Sequence, residues 1–279
     1  MTKQVSVITG GHGGMGKAIA RELGKSSLLV LAARNEKKLL ETQAELEEYG
    51  CETRIFPLDI RDESKVKELA DFAASLGNVV NVIHTSGVSP ANTGTEDILT
   101  INAMGTIYLT NAFYPILAEG GVLINFGSVA AYTIEAPDEW YEIFDECEDA
   151  GFYDKLKELT APFQDDEFSC AGIAYTISKR FVIYYTQKNT VRFANKGCRI
   201  LSVSPGSYLT PMHQALIDNQ PETAEMQKES IPFRRWGHPY EIAALTAFLC
   251  TPGAGFINGV DILADGGQTA NTFVSQLGE

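Results

Sequence analysis

Three observations predict an α/β fold for this chain, with one doubly wound domain built on a parallel sheet of seven strands. Short apolar runs alternate with segments of helical length and composition, which is the pattern of a parallel sheet covered by helices on both faces. A glycine-rich turn follows the first apolar run, where such folds bind phosphate groups. No repeat, low-complexity tract or linker divides residues 1–279, so we expect a single domain.

The elements follow from the same alternation. The predicted strands are 5–8, 28–33, 53–60, 79–84, 122–126, 198–204 and 259–264. Between them, helical periodicity and good helix formers predict helices over 17–23, 36–49, 64–76, 95–119, 175–193 and 239–249. Ligands of such sheets gather at the carboxyl ends of the strands. We therefore expect the functional residues at that edge.

Composition excludes several classes of function. The net charge of −14 argues against nucleic acid and against an anionic membrane surface as partners. No apolar run is long enough to span a membrane, and the five cysteines form no C-x-x-C pattern. These features predict a cytoplasmic protein with free thiols. The four histidines lack metal-ligand spacing, so we predict no metal site.

The glycine-rich turn runs from Thr9 to Gly16, between the first strand and the first helix. Glycines there let the backbone approach a pyrophosphate, and the helix presents free N–H groups to its charge. The second strand ends at Ala33, where an acidic residue would hold the ribose of NAD. Arg34 follows instead and suits a 2′-phosphate, with His12 as a helper. We expect NADP(H), with NAD(H) as the alternative.

Tyr175 and Lys179 are four residues apart in a predicted helix, so their side chains share one face. A nearby ammonium favours the phenolate and lowers the pKa of a tyrosine. A tyrosine tuned in this way can exchange a proton with an alcohol or a carbonyl at neutral pH. The spacing alone also occurs by chance in many helices. Its significance depends on the nucleotide-binding turn that precedes it.

Taken together, the motifs resemble the short-chain dehydrogenase/reductase family from about Gln4 to Gly267, with a Rossmann fold. The ordered motifs are Thr9-Gly10 with Gly14-Met15-Gly16, Asp59, Asn102, Ser128, Tyr175 with Lys179, Pro205-Gly206 with Thr210, and Asp265-Gly266-Gly267. The resemblance implies that Tyr175 exchanges the substrate proton, that Lys179 lowers its pKa and binds the nicotinamide ribose, and that Ser128 polarises the substrate oxygen. Asn102 would hold a water that links Lys179 to solvent.

The resemblance also implies the cofactor contacts. Asp59 and Ile60 would lie at the adenine, with Asp59 on its amino group. Gly87 would allow close approach to the cofactor. Thr210 and the backbone after Pro205 and Gly206 would meet the nicotinamide amide. One departure lies beside Gly87, because His84-Thr85-Ser86-Gly87 replaces the usual Asn-Asn-Ala-Gly, so the contacts that steady the central strand are expected to differ.

A second departure is an insertion over about residues 133–174, between Ser128 and Tyr175. Residues 135–169 hold 13 acidic and 2 basic side chains, so most of the negative charge of the chain lies there. Its aromatic residues fit short amphipathic helices. A solvated surface insertion with a small satellite core and a lid or pocket wall are both compatible with the pattern. Such an insertion resembles bacterial 3α-hydroxysteroid dehydrogenase/carbonyl reductases, in which it obstructs the face used for tetramers. We expect a homo-oligomer, a dimer by this analogy, with a tetramer as the alternative.

The expected function is NAD(P)-dependent interconversion of a secondary alcohol and a ketone, on a small hydrophobic substrate such as a steroid or an alicyclic ketone. Candidate apolar wall residues, outside the insertion, are Val88, Pro90, Tyr132, Tyr208 and Met212, each of which could equally belong to the core. One alternative is a 3-oxoacyl-thioester reductase, whose anionic carrier the acidic insertion would repel. The other is a non-catalytic dinucleotide-binding regulator, against which the presence of Tyr175 and Lys179 argues.

Overall fold

The structure, a computed structural model, describes residues 3–91, 93–163, 166–219 and 221–277. Its strands are β1 Gln4–Thr9, β2 Leu28–Ala33, β3 Thr53–Pro57, β4 Asn78–His84, β5 Leu117–Phe126, β6 Arg199–Pro205 and β7 Asp261–Ala264. All pair in parallel, in the order β3-β2-β1-β4-β5-β6-β7. This confirms the predicted doubly wound sheet. The strand order reverses between β1 and β4, the place where such sheets bind ligands.

Helices cover both faces of the sheet. They are α1 Gly14–Leu23, α2 Glu36–Glu48, α3 Glu63–Leu76, α4 Thr95–Ile98, α5 Gly105–Phe113, α6 Asp138–Asp145, α7 Phe152–Glu158, α8 Glu167–Lys188, α9 Thr190–Ala194, α10 Pro211–Asn219, α11 Pro221–Ser230, α12 Pro239–Leu249 and α13 Gln268–Leu277. A π-helical turn, Leu99–Met104, joins α4 to α5, and short 3₁₀ turns occupy Val129–Tyr132, Ala161–Phe163 and Pro252–Ala254.

Two hydrophobic cores sandwich the sheet. On one face, side chains of α1, α2 and α12 pack against the strands, with Ile19, Leu39 and Ile242 fully buried. On the other face, α3 and α5 supply Val66 and Phe113 among other residues. The central strands are buried along their length, as strands covered on both faces are. Within the described residues, no helix is long and apolar enough to cross a membrane.

Two element boundaries differ from the sequence prediction. The helix expected to run to residue 119 ends at Phe113, and β5 begins at Leu117, because Leu117 pairs with Val79 of β4. The helix expected to begin at Tyr175 begins at Glu167, where the Asp166 side chain accepts a hydrogen bond from the Ser169 N–H at 3.0 Å. Such a cap fixes a helix start. Tyr175 therefore lies in the interior of α8.

The insertion forms a third core against α8. As expected, it contains two short amphipathic helices, α6 and α7, and it buries Trp140, Phe144 and Phe152. The Phe152 ring packs against the ring of Phe181 in α8, with ring centroids 5.0 Å apart. Residues 164 and 165 of the insertion lie outside the described residues. The described part is therefore a packed layer over α8, and this small core is compatible both with a surface insertion that has its own core and with a pocket wall.

Candidate active site

The glycine-rich segment forms a tight turn at the carboxyl end of β1. Gly10 adopts φ +70°, a left-handed conformation that favours glycine. A β-carbon on Gly14 would lie 2.9 Å from the Thr210 side chain, and one on Gly16 would collide with the Gly10 carbonyl. Gly14, Met15 and Gly16 form the first turn of α1, where backbone N–H groups lack helical partners. The turn thus has the shape and the free donors that a pyrophosphate requires.

Two basic side chains, those of Arg34 and Lys38, follow the end of β2. Arg34 and Lys38 are exposed, and both act on the partly buried imidazole of His12. Burial lowers the pKa of His12, and the charges of Lys38 and Arg34 lower it further. The Asn35 side chain accepts a hydrogen bond from the Lys38 N–H at 3.0 Å and so begins α2. Arg34 and Lys38 are therefore both close enough to His12 to lower its pKa, and the sequence analysis missed Lys38.

Asp59 follows β3 and is held in place by Arg61. The Arg61 guanidinium donates to both carboxylate oxygens, at 2.6 to 3.1 Å, and also contacts Asp97 at 2.7 Å. These hydrogen bonds lower the pKa of Asp59, so it stays ionised. Ile60 is buried and fills the space beside Gly105, where a β-carbon would lie 2.8 Å away. Asp59 and Ile60 therefore lie near the N-terminal end of α5.

Asn102 lies in the π-helical turn between α4 and α5. Its amide oxygen accepts from the Val88 N–H at 2.9 Å, and its amide nitrogen donates to the Val88 carbonyl at 3.1 Å and to the Ser178 hydroxyl at 3.2 Å. π-Helical turns are uncommon and are frequently found at functional sites. The side chain is 1% exposed, so Asn102 joins the loop after β4 to α8.

Lys179 extends from α8 under the end of β5. Its ammonium donates to the Phe126 carbonyl at 2.9 Å, and the side chain is buried. Burial lowers the pKa of Lys179 to about 8, since desolvation disfavours the charge. A β-carbon on Gly87 would lie 3.2 Å from both Lys179 Nζ and Asn102 Oδ1. Lys179, Asn102 and Gly87 therefore meet at one point.

Tyr175 and Ser128 lie together above this point. Burial raises the pKa of Tyr175, and a hydrogen bond with Ser128 offsets this rise only in part. The expected lowering by Lys179 is absent: the ammonium lies 5.8 Å from the centre of the Tyr175 ring and donates to Phe126. In this structure the phenol is therefore protonated at neutral pH. Ser128 also accepts from the Ala130 N–H at 3.2 Å, which begins a 3₁₀ turn.

The residues that replace the usual motif before Gly87 tie β4 to β1. Thr85 donates its hydroxyl to the Thr9 carbonyl at 2.7 Å. His84 Nδ1 lies 2.8 Å from the Thr9 hydroxyl oxygen, which also accepts from the Ser86 N–H at 3.4 Å. These hydrogen bonds fix the segment that leads to Gly87, which lies beside Lys179.

The loop that is expected to meet the nicotinamide begins where β6 ends. Pro205 pairs with Ala264 of β7, and the Gly206 N–H donates to the Ala264 carbonyl at 2.9 Å. A β-carbon on Gly206 would lie 2.7 Å from the Asp265 backbone, so this position accepts only glycine. Thr210 then packs beside Gly14. The loop after β6 and the glycine-rich turn therefore face each other.

The residues predicted to form an apolar wall have different surroundings. Val88 packs against the second face of the sheet and against the insertion core, beside Asn102. Tyr208 is instead buried in the core and donates to the Ala264 carbonyl at 3.1 Å, and Tyr132 donates to Asp261 at 2.5 Å. The hydroxyls of these two tyrosines thus hold them against β7, and their role as wall residues stays a prediction. The Met212 side chain lies outside the described residues.

The arrangement defines a class of protein: a dinucleotide-binding oxidoreductase with a tyrosine and a lysine one helical turn apart. Comparisons with known proteins agree. The short chain dehydrogenase model matches residues 4–138, and the Enoyl-(Acyl carrier protein) reductase model matches residues 167–269. Short-chain dehydrogenase/reductase bsc3 of Alternaria brassicicola is 30% identical over 271 residues, covering 96% of each chain. The protein belongs to the short-chain dehydrogenase/reductase family and is an NAD(P)-dependent oxidoreductase.

The chain is also similar to other relatives and to solved structures. The 3beta-hydroxysteroid dehydrogenase 2 of Eggerthella lenta is 28% identical over 283 residues, covering 96% of this chain and 95% of that protein. An actinorhodin polyketide ketoreductase solved with NADPH aligns with a TM-score of 0.76 at 22% identity, over 96% of this chain and 97% of that one. A short chain dehydrogenase from Burkholderia cenocepacia in complex with NADP gives 0.74 at 22% identity, over 95% and 97%. These two structures support the fold.

Proposed function

We propose that the protein interconverts a secondary alcohol and a ketone, with Tyr175, Ser128, Lys179 and Asn102 as the catalytic group. The observation that carries this proposal is the convergence of these side chains at the ends of β4 and β5, beside the glycine-rich turn. A protonated, partly exposed phenol next to a serine hydroxyl can bind the oxygen of a carbonyl. Both groups can donate to an oxygen on which negative charge develops.

Each residue of the catalytic group would have a separate role. The bound nicotinamide supplies hydride transfer to or from the substrate carbon. Ser128 would hold the substrate oxygen, and Tyr175 would give it a proton during reduction or take one during oxidation. Lys179 would hold the nicotinamide ribose with the donors that Phe126 leaves free. Asn102 would fix the loop after β4 through Val88. The raised pKa of Tyr175 keeps its phenol in the protonated form, which is the form that reduction requires.

We propose NADP(H) as the preferred cofactor. Arg34 and Lys38 place two positive charges at the end of β2, where the adenosine ribose would bind. A 2′-phosphate is recognised by such charges, whereas a ribose hydroxyl offers them nothing to neutralise. The NADPH and NADP complexes of similar structures support this choice. Asp59, held by Arg61, would meet the adenine.

We propose a small hydrophobic ketone or alcohol as the substrate, of the steroid-like or alicyclic kind. The hydroxysteroid dehydrogenase among the relatives supports this class. A probable 2,4-dienoyl-CoA reductase of Bacillus subtilis, 27% identical over 288 residues, favours the thioester alternative. The acidic insertion, however, would repel the phosphates of a thioester carrier. A regulator without catalysis would not require a buried lysine beside a tyrosine. We also propose that the protein acts in the cytoplasm.

Replacing Tyr175 tests the catalytic assignment. We expect Tyr175→Phe to lower kcat with an alicyclic ketone by at least about 100-fold, because the proton donor is lost. The Kd for NADPH should stay within about twofold, since the ring remains. Steady-state kinetics and nicotinamide fluorescence give the two numbers. Turnover close to the unmodified level would exclude Tyr175 as the acid, and a parallel assay of Tyr184→Phe controls for loss of a phenol elsewhere on α8.

Parallel titrations with NADPH and NADH test the cofactor assignment. We expect NADPH to bind more tightly, and Arg34→Ala or Lys38→Ala to weaken NADPH by roughly tenfold, about the value of one hydrogen bond to a charged group. Binding of NADH should change little. Lys37→Ala is the matched control, because Lys37 is equally exposed but does not act on His12. Tighter binding of NADH than of NADPH would contradict the proposal.

A further inference from the structure

A row of polar side chains crosses the sheet beneath α8. Thr9, His84, Asn125, Ser202 and Asp261 occupy paired positions on five neighbouring strands. Paired residues of a parallel sheet point to the same face, and here this is the face packed against α8, since Asn125 donates to Thr186 of α8 at 3.0 Å. Buried parallel strands are normally apolar. The burial of polar side chains in this row therefore requires a specific explanation.

Hydrogen bonds join most of the row but leave one gap. His84 Nδ1 pairs with the Thr9 hydroxyl at 2.8 Å, and the Ser202 hydroxyl donates to Asp261 at 2.5 Å. His84 Nε2 and Asn125 Oδ1, on adjacent strands, have no partner among the described residues. His84 is 2% exposed and Asn125 is fully buried. Leaving such atoms unpaired is unfavourable, so both require a partner in the gap.

The two unpartnered atoms lie on the face of the sheet that α8 covers, and α8 also carries Lys179. Lys179 is the charged group that acts on His84, and burial and this charge lower the pKa of His84 to about 3. The imidazole is therefore neutral. Lys179 donates to the carbonyl of Phe126, the residue after Asn125, and His84 and Tyr175 are the titratable groups that face it. Burial is the only cause of its own low pKa, so no carboxylate compensates the charge.

We propose that His84 is a positioning residue for Lys179: its Nε2 and the Asn125 Oδ1 bind one buried water, which accepts a hydrogen bond from the ammonium. Such a water donates to both free acceptors and receives the lysine N–H, so every atom in the gap is satisfied. His84 then carries its proton on Nδ1 and donates it to Thr9. The water holds Lys179 in place and keeps it charged. This rests on the proposed role of Lys179.

The first test is the titration of Lys179 in the cofactor-free protein, followed by NMR of lysine labelled with ¹³C at Cε and assigned with Lys179→Arg. We expect His84→Leu to lower the pKa of Lys179 by about one to two units, because the charged form loses a hydrogen bond. His84→Gln, whose amide can occupy the place of Nε2, should restore most of the loss. The alkaline limb of the kcat profile should move to lower pH in His84→Leu by the same amount.

Asn81→Leu is the matched control. Asn81 is also a buried polar residue of β4, but it donates to Ser6 at 2.9 Å, on the opposite face from His84. Its replacement should lower stability without moving the titration of Lys179. An unchanged titration in His84→Leu, or an equal shift in Asn81→Leu, would overturn the proposal.

Two measurements on the unmodified protein decide the question even if His84→Leu does not fold. A crystal structure at atomic resolution should show a water within about 3.2 Å of both His84 Nε2 and Asn125 Oδ1. The ¹⁵N spectrum of His84 should show the Nδ1–H tautomer, and the Nε2–H tautomer would overturn the proposal, as would the lack of that water. These results do not depend on turnover. A water and tautomer as expected, without activity on any ketone, would refute the proposed function alone.

Discussion

At the scale of single residues, the site places charge where solvent cannot reach it. Lys179 is 6% exposed, and burial lowers its pKa from 10.5 to about 8. The folded protein therefore binds fewer protons than the unfolded chain between these two pH values. The penalty on the charged form is complete below about pH 8 and disappears as the pH rises to 10.5. Stability from this residue thus rises with pH across that window.

Replacing Lys179 should therefore separate stability from function. We expect Lys179→Met to raise the free energy of unfolding at pH 7 by about 2 kcal/mol, because the Phe126 carbonyl loses its donor and this offsets part of the roughly 3 kcal/mol to which the pKa shift corresponds. The gain should vanish near pH 10.5, and turnover should be lost at every pH. Urea unfolding at several pH values measures the effect, and Lys37→Met is the exposed control. A destabilised variant at pH 7 would show that bound partners compensate the buried charge.

At the scale of elements, α8 connects the site to the insertion. One part of α8 carries Tyr175 and Lys179, and the following turns carry Phe181 and Tyr185, which pack against α6 and α7. Arg180 adds polar contacts, donating to the Tyr141 hydroxyl at 2.8 Å and to the Ala131 carbonyl at 3.2 Å. The insertion core therefore supports the helix on which the acid and the lysine stand.

Removing an aromatic ring from that core should destabilise the whole protein. Phe152 is fully buried against Phe181, so Phe152→Ala should cost about 3 to 5 kcal/mol. Phe163→Ala, in the same insertion but 43% exposed, should change the free energy of unfolding by less than about 0.5 kcal/mol. Denaturant unfolding compares the two. Equal effects would mean that the insertion core does not contribute to the stability of α8.

At the scale of the whole molecule, the insertion covers part of the surface of α8. The residues of α8 that face α6 and α7 are buried within the chain, so a second copy cannot pack on that part of the helix. We expect a homodimer rather than a tetramer. Sedimentation at micromolar concentration should give about twice the chain mass of 30.4 kDa. A species of four chains would contradict the expectation.

Prediction from sequence succeeded where the signal is local. The turn at Gly10, the spacing of Tyr175 and Lys179 and the alternation of elements each follow from a few neighbouring residues. It failed where distant segments meet. Leu117 lies in β5 because it pairs with Val79 of β4. Lys38 acts on His12, which is distant in the sequence. Tyr208 is buried in the core.

The sequence by itself determined the sheet, the order of the motifs and the family. Periodicity and glycine positions are properties of the chain, and they act over one or two turns. Only the tertiary structure decided the environment of each group. The protonated Tyr175, the lysine with a pKa of about 8 and the neutral His84 depend on burial and on partners from other strands. Desolvation depends on everything that surrounds a side chain, and no local pattern contains that information.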